Sequence, residues 1–143
     1  MVYKTMFEDG LDAVMGGHIM MPNYMKEINP DITPDELLPA TLCPEIMNGL
    51  LRDELGFNGM VVTDASHMVG MTDRMTRAEM LPATINAGCD MFLFFNDPDE
   101  DFATMLNAYK SGIMYKYLPF TLNLPDRASF NIARFLSRII RFV

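Results

Sequence analysis

Short apolar runs recur along the first two thirds of the chain, and each follows the same three-residue motif. The motif is a glycine, then an apolar residue or cysteine, then Asp or Asn, and it begins at Gly10, Gly56 and Gly88. Such a glycine fits the C′ position that ends a helix, and the apolar run after it suits a strand that enters a sheet. Separations of 46 and 32 residues leave room for a crossover helix between parallel strands. The pattern therefore predicts an internal βα repeat.

The segment before Gly56 has helical spacing. Pro44 fits the first turn of a helix, with Cys43 as its N-cap, and Gly56 ends it. The apolar positions of this segment are Ile46, Leu50, Leu51 and Leu55. We therefore predict an amphipathic helix from Pro44 to the glycine that opens the second repeat.

Two further helices are predicted, one on each side of the third apolar run. Thr76 and Glu79 have the spacing of a capping box, but Pro82 falls inside the segment that follows, so this helix either kinks there or begins later. Asp97 stands directly before Pro98 and two more acids, which is a strong start signal, and we expect Asp97 to be the N-cap. The apolar stripe of this last helix is Phe102, Met105, Leu106 and Tyr109.

Residues 22 to 42 hold four prolines and scattered acids without a clear period. We expect a long loop that lacks regular structure. Because this segment leaves the carboxyl end of the first predicted strand, it is expected to form a wall of the functional site.

Charge divides the chain unevenly. Residues 1 to 109 carry 18 acidic and 5 basic residues, whereas residues 110 to 143 carry 1 acidic and 6 basic residues. The acidic body excludes a role in nucleic-acid binding, since affinity for a duplex comes largely from Lys and Arg. Ser129 is predicted to cap a basic amphipathic helix in the tail. Such a helix can lie on an anionic membrane, but it more often packs on its own domain, and we expect no membrane contact through the tail.

The totals fit one domain with a core, at 143 residues with 50% hydrophobic and 21% charged content. No apolar run reaches the 18 or so residues of a membrane span, and the N-terminus lacks the layout of a signal peptide. Cys43 and Cys89 offer no disulfide framework and no zinc spacing, so both are expected to be small buried residues. These features do not indicate a cellular compartment.

The central apolar run, from Met60 to Val62, is too short for a helix and ends abruptly at Thr63 and Asp64. A run of this kind suits a parallel strand covered on both faces. Residues just past the carboxyl ends of such strands line the ligand site in α/β sheets and barrels. Asp64 is therefore a candidate catalytic residue. The alternative is that Asp64 caps the next turn, where Asp is also common.

The segment GFNGMVVTDASHM, residues 56 to 68, resembles the nucleophile segment of family 3 glycoside hydrolases, in which a strand ending in Ser/Thr-Asp supplies the aspartate that attacks the sugar. Residues 11 to 22 resemble the preceding barrel strand of that family, and residues 86 to 97 resemble the following one. The resemblance implies an α/β fold, a partial TIM (β/α)8 barrel of about its last three βα units. It also implies a partial-barrel domain over residues 1 to 112, followed by a divergent basic tail over 113 to 143.

The same resemblance implies roles for individual residues. Asp64 is the expected nucleophile of a retaining β-glycosidase, a β-N-acetylhexosaminidase or β-glucosidase. His18 corresponds to a side chain that contacts the sugar, although a structural histidine would fit equally. His67 and Met68 are expected to line the pocket rim, with a solvent-facing loop histidine as the alternative for His67. The expected partner is a β-glycoside substrate.

No cofactor is implied, and without an HxH or HxxxH spacing no metal site is expected either.

The acid/base partner of this family is not found in the sequence. One branch has an Asp-His pair after a Lys-His-Phe-Pro-Gly-like strand, and the other takes a glutamate from a following domain. Neither occurs here, and Asp73, Glu79 and Asp97 match no such motif. A complete barrel typically needs about 250 residues. We therefore expect a fragment that carries the nucleophile, is inactive as an isolated chain, and self-associates or joins a missing barrel half. The alternative is a non-catalytic interaction module that associates through exposed sheet edges.

Overall fold

The computed structural model describes residues 2–114 of the chain; the helix predicted after Ser129 lies outside them. The order of elements is α1 (Val2–Glu8), β1 (Ala13–Gly16), α2 (Pro22–Ile28), a π-helix (Glu45–Glu54), β2 (Met60–Ala65), α3 (Val69–Thr72), α4 (Arg77–Ala87), β3 (Met91–Leu93) and α5 (Pro98–Lys110). In this part of the chain, no helix has the length and apolar character needed to cross a membrane.

The three strands form one parallel sheet in the order β1-β2-β3, as the βα repeat predicted. In register, Ala13 lies opposite Met60 and Val62 lies opposite Met91. Each repeat glycine has a positive φ, 89° at Gly10, 71° at Gly56 and 122° at Gly88. This left-handed conformation ends the preceding segment and turns the chain into the sheet.

The two helices beside the third strand begin where local signals predicted. Thr76 and Glu79 form the capping box of α4, and the helix continues through Pro82 to Ala87, so the box does mark its start. Asp97 caps α5, since its Oδ1 accepts the backbone N–H groups of Asp99 and Glu100, each at 3.0 Å.

The first predicted helix is present with a different geometry. Its backbone bonds span five residues, as in the 2.9 Å bond from Leu55 N to Leu50 O, so it is a π-helix. Its N-cap is Pro44, and the prediction of Cys43 was wrong by one residue. The Cys43 carbonyl accepts the N–H groups of Ile46 and Met47, while its thiol points to Glu45. The thiol is thus not available as a capping group.

The prediction of an irregular loop over residues 22–42 was wrong. The segment contains α2 and two single 3-10 turns, Pro34–Glu36 and Ala40–Leu42. Three of its four prolines start these elements: Pro22 and Pro34 are the first residues of α2 and of the first turn, and Pro39 is the N-cap of the second turn. Proline lacks an N–H and has a preset φ, so it suits first-turn positions as well as breaks.

One face of the sheet is buried under helices, and the other, called here the uncovered face, is partly exposed among the described residues. Val61 and Thr63 of β2 are fully buried on the covered face. On the other face Met15, Val62 and Met91 stand side by side, and Met15 is 57% exposed. The sequence predicted cover on both faces, and these residues provide it on only one.

Two apolar clusters fill the covered side, and both cysteines are buried as expected. Burial raises the pKa of Cys43 to about 11 and that of Cys89 to about 12, so neither thiol ionises near neutral pH. The first cluster is built on Met25, Leu37, Ala40, Cys43, Ile46, Met47, Phe57, Val61 and Cys89, and the second on Leu42, Met71, Met80, Leu81, Ile85 and Phe92.

An ion pair closes the amino end of the sheet. Arg52 Nη2 lies 2.9 Å from Asp90 Oδ2, and Arg52 Nη1 donates to the Gly59 carbonyl at 2.8 Å. Asp90 Oδ2 also accepts the Val61 N–H at 2.6 Å. The pair therefore ties the π-helix to the starts of β2 and β3.

Candidate active site

Asp64 lies at the carboxyl end of β2, the central strand. It follows the buried Thr63, so strand alternation turns its half-buried side chain towards the uncovered face. Asp64 Oδ1 accepts the Ala65 N–H at 2.7 Å, and among residues 2–114 its Oδ2 accepts no hydrogen bond. Asp64 caps no helix, since the N-cap of α3 is Met68. The local geometry thus leaves one carboxylate oxygen open at the site edge.

The pairing of β2 with β3 is irregular beside Asp64. Val62 lies opposite Met91, but Ala65 lies opposite Leu93, so β2 has one extra residue between the two pairs. The hydroxyl of Thr63 accepts the Leu93 N–H at 3.1 Å where a backbone carbonyl would normally do so. Bulges of this kind re-aim side chains and are common next to active sites.

His18 follows β1 at the same end of the sheet and is 8% exposed. Its Nδ1 lies 2.7 Å from the Thr41 hydroxyl, which fixes the ring. Its Nε2 is buried and has no partner among the described residues. A helix packs closely on its backbone, because a Cβ at Gly70 of α3 would lie 2.6 Å from the His18 carbonyl oxygen. The geometry fits either a structural ring or one with a nitrogen left for a ligand, so the sugar-contact role stays a prediction.

His67 and Met68 lie in the turn between β2 and α3, and both are exposed. The His67 ring centroid is 6.5 Å from that of Phe94, which follows β3 and is 61% exposed. Phe94 has a φ of 54°, a left-handed conformation that is rare for a bulky residue. The pocket-rim roles of His67 and Met68 stay predictions, and Phe94 joins them as a neighbour that no sequence signal indicated.

A second ion pair lies at this end of the sheet. The Arg77 guanidinium meets the Asp101 carboxylate with two nitrogens, Nε at 2.5 Å from Oδ1 and Nη2 against Oδ2. The same guanidinium donates to Ser66, with Nη1 at 3.2 Å from its carbonyl and Nη2 at 3.1 Å from its hydroxyl. Sequence reasoning missed all three residues, which are 11 and 24 positions apart and share no motif.

This pair has clear electrostatic consequences. The hydrogen bonds from Arg77 hold the pKa of Asp101 below its usual value, and the carboxylate raises the pKa of Arg77 in return. Both groups therefore stay charged across the ordinary pH range.

The other nearby carboxylates are occupied or exposed. Glu79 Oε2 accepts bonds from the Thr76 N–H and hydroxyl, which lower the pKa of Glu79. Asp97 caps α5, and Asp73 is exposed at the end of α3. Within residues 2–114, no group of three or more His, Cys, Asp or Glu side chains is placed to hold a metal ion.

Comparison with known proteins gives consistent likenesses. The family model "Glycosyl hydrolase family 3 N terminal domain" matches residues 1–118. A β-N-acetylglucosaminidase/β-glucosidase of Cellulomonas fimi is 42% identical over 113 residues, which cover 79% of this chain and 20% of that protein. A β-hexosaminidase of Methylobacillus flagellatus is 30% identical over 100 residues, which cover 68% of this chain and 25% of that protein.

Solved structures agree. A β-glucoside phosphorylase superposes with a TM-score of 0.75 at 39% identity, over 80% of this chain and 21% of the other. The β-N-acetylglucosaminidase of Thermotoga maritima superposes with a TM-score of 0.65 at 25% identity, over 80% and 24%. The chain thus spans a quarter or less of the length of these relatives.

Proposed function

The chain belongs to glycosyl hydrolase family 3, and we propose that its three βα units carry the nucleophile of a retaining β-glycosidase, Asp64. The observation that carries the proposal is the place of this carboxylate, at the carboxyl end of the central strand and turned towards the uncovered face. In (β/α)8 barrels that end of the strands forms the active site. The relatives named as β-N-acetylglucosaminidase and β-hexosaminidase favour a β-linked N-acetylhexosamine or glucose as the substrate.

The proposed reaction has two displacements. Asp64 Oδ2 attacks the anomeric carbon and forms a glycosyl ester, while the bond to the leaving oxygen breaks and that oxygen takes a proton from a general acid. The Ala65 N–H holds Oδ1 and so sets the rotation of the carboxylate. The general acid, which lost its proton in the first step, then acts as a base and deprotonates a water molecule. This water attacks the glycosyl ester, releases the sugar and restores Asp64.

The acid/base is proposed to come from barrel units beyond these three strands. Glu79 and Asp97 are used as helix caps, and the lowered pKa of Glu79 is the opposite of what a general acid needs. The remaining units belong either to a longer form of this protein or to a second polypeptide. Because general acid catalysis typically contributes about 10²- to 10⁴-fold, the 143-residue chain should turn over aryl β-glycosides negligibly.

Covalent labelling tests the nucleophile. A dinitrophenyl 2-deoxy-2-fluoro-β-glycoside has a leaving group that needs little protonation, so it should label Asp64 slowly in this chain and faster when the remaining barrel units are added. Asp64→Asn keeps the size of the side chain and removes the attacking charge. It should lower labelling and turnover on the order of 10⁴-fold or more, the scale seen when a covalent nucleophile is removed.

Asp73→Asn is the matched control, because it removes an exposed carboxylate nearby and should label like the wild type. Mass spectrometry of the labelled peptide locates the adduct. An adduct on another residue, or undiminished turnover by the Asn variant of the assembled enzyme, would refute the assignment of Asp64.

The acceptor in the second displacement is a separate question, because one similar structure is a β-glucoside phosphorylase. If phosphate replaced water as the acceptor in the second displacement, the product would be a sugar 1-phosphate. Hydrolysis is the proposal for this chain, since the curated relatives are named as glycosidases. Product analysis of the assembled enzyme with and without phosphate distinguishes the two acceptors.

A non-catalytic interaction module is the second candidate, and the sheet edges favour it. Strands β1 and β3 are both edges among the described residues, and the face between them is uncovered. Unpaired edges and apolar faces promote association. Under either function the 143-residue chain should self-associate, and light scattering at about tens of micromolar should give a mass above that of the monomer. A monodisperse monomer would contradict the proposal of an open partial barrel.

A further inference from the structure

We propose that Arg77 and Asp101 are positioning residues that set the conformation of the turn after Asp64. The inference rests on the proposed function of Asp64, and neither residue is expected to touch the substrate. Its basis is the way in which one guanidinium and one carboxylate tie that turn to two helices and to the loop after β3.

The first link runs to Ser66, two residues after Asp64. Ser66 is fully buried, and its N–H donates to the Leu93 carbonyl at 3.0 Å. Arg77 donates to both the carbonyl and the hydroxyl of Ser66. The Ser66 hydroxyl in turn donates to the Phe94 carbonyl at 2.5 Å. Ser66, on the C-terminal side of Asp64, is thus held by four hydrogen bonds, two at its backbone and two at its hydroxyl.

The second link runs to α5 and the loop before it. Asp101 lies in the first turn of α5 and is 2% exposed. Besides Arg77, its Oδ2 accepts the Asn96 N–H at 3.3 Å. The loop from Phe94 to Asn96 is therefore anchored at both ends to the same cluster, through Ser66 and through Asp101. This anchoring explains how Phe94 is kept in a left-handed conformation that its side chain disfavours.

The chemistry of the cluster requires arginine. Nε, Nη1 and Nη2 of Arg77 all donate, in directions that a planar guanidinium provides together. A lysine has the charge but donates from a single nitrogen, so it cannot hold the carboxylate and Ser66 in this geometry. Arg77→Lys therefore keeps the charge and removes the fixed geometry.

The chain offers a matched control at the other end of the sheet. Arg52 forms an ion pair of the same type with Asp90, and it also donates to the backbone carbonyls of Gly59 and Gly88, which precede β2 and β3. Arg52→Lys makes the same chemical change far from Asp64. Ser66→Ala is a second test, because it removes the hydroxyl link and leaves both partners of the Arg77–Asp101 pair in place.

Hydrogen exchange on the full 143-residue chain tests the positioning role without any need for activity. In Arg77→Lys and Ser66→Ala we expect protection to fall about tenfold or more at the carboxyl end and to stay unchanged at the amino end. In Arg52→Lys the amides at the amino end should lose at least as much protection from exchange as those at the carboxyl end. The proposal would be overturned if Arg77→Lys lowered protection equally at both ends of the sheet, or did not lower it at all. The probes are the amides of Ser66, Leu93 and Asn96 at the carboxyl end and those of Met60 and Asp90 at the amino end.

Labelling connects the role to the chemistry. With the activated 2-fluoro-glycoside, Arg77→Lys should lower the maximal rate of Asp64 labelling by about 10- to 100-fold, while the half-saturating reagent concentration stays nearly constant. A merely structural pair would lower the labelled fraction, not the rate of the folded fraction. If the wild-type adduct lies on Asp64 and Arg77→Lys labels at the wild-type rate, the positioning role fails and the proposed function stands. An adduct elsewhere would overturn the proposed function, a distinguishable result.

Discussion

The two ends of the sheet each hold an Arg–Asp ion pair, and the pairs are used differently. At the amino end Arg52 and Asp90 have side chains only 9% and 12% exposed, and they also bond to backbone groups, the Gly59 carbonyl and the Val61 N–H. At the carboxyl end Arg77 pairs with Asp101 and also donates to Ser66, in the turn that follows Asp64.

The pKa shifts of the two carboxylates separate the ends further. Burial is the largest influence on Asp90 and raises its pKa, in spite of the bonds from Val61 and Arg52. The hydrogen bonds from Arg77 are the largest influence on Asp101 and lower its pKa. An Arg–Asp pair thus links the π-helix to the strand starts at one end of the sheet. At the other end a pair of the same type forms a charged cluster near the proposed nucleophile. This division matches barrels in general, in which the amino end serves stability and the carboxyl end serves catalysis.

The largest effect on stability is expected from Arg52→Met. This change leaves the largely buried Asp90 without its ion-pair partner and the Gly59 carbonyl without a donor. Removing one member of a buried pair typically costs about 3 to 5 kcal/mol in the free energy of unfolding. Urea denaturation, monitored by circular dichroism, measures this loss of unfolding free energy.

Asp53→Asn is the control for this change, because it alters an exposed charge on the same helix and should stay within about 0.5 kcal/mol of the wild type. If the two variants are equally stable, the amino-end pair does not stabilise the fold as argued.

A smaller loss is expected from Gly59→Ala, also at the amino end. An added Cβ would lie 2.6 Å from the Phe57 ring and against the Asp12 carbonyl, and the backbone carbonyl cannot move aside easily. Overpacking of this kind costs about 1 to 3 kcal/mol. Thermal unfolding should show a lower midpoint for this variant.

Gly49→Ala tests the same chemical change where nothing lies within 4 Å of the new Cβ. In a helical segment alanine is favoured over glycine by about 0.5 to 1 kcal/mol, so this variant should be slightly more stable than the wild type. A loss at Gly49 as large as that at Gly59 would refute the steric explanation.

The smallest effects are expected from pH, and they should have opposite signs at the two ends. The folded-state pKa of Asp101 is depressed, so its stabilisation is present above its unfolded value of about 3.8 and is lost as the pH falls through the folded pKa. The folded-state pKa of Asp90 is raised, so its contribution is complete below about pH 3.8 and is lost as the pH rises through the folded pKa.

Unfolding free energies of the wild type, Asp101→Asn and Asp90→Asn over about pH 2 to 7 provide the measurement. The difference between the wild type and Asp101→Asn should shrink towards acid. That between the wild type and Asp90→Asn should shrink towards neutral pH. If both differences in unfolding free energy changed with pH by the same slope, the two carboxylates would share one environment.

Local signals accounted for the framework of the fold. Gly10, Gly56 and Gly88 ended segments because a left-handed residue is needed there and glycine adopts it freely. The Thr76–Glu79 box and Asp97 started α4 and α5 because their oxygens reach N–H groups only two or three residues away. Where a signal had two local meanings, as for the prolines of residues 22–42, the sequence led to a wrong prediction of irregular structure.

The sequence therefore determined the βα repeat, the parallel order of the strands and the place of Asp64 at a strand end, since each depends on neighbours along the chain. Only the tertiary structure brought Ser66 to Arg77, Arg77 to Asp101, and Thr63 to Leu93, across 11, 24 and 30 positions. Such contacts arise when separate elements pack, and a side chain has no local preference that announces its distant partner. The framework is thus local in origin, whereas the environment of the proposed nucleophile is a product of packing.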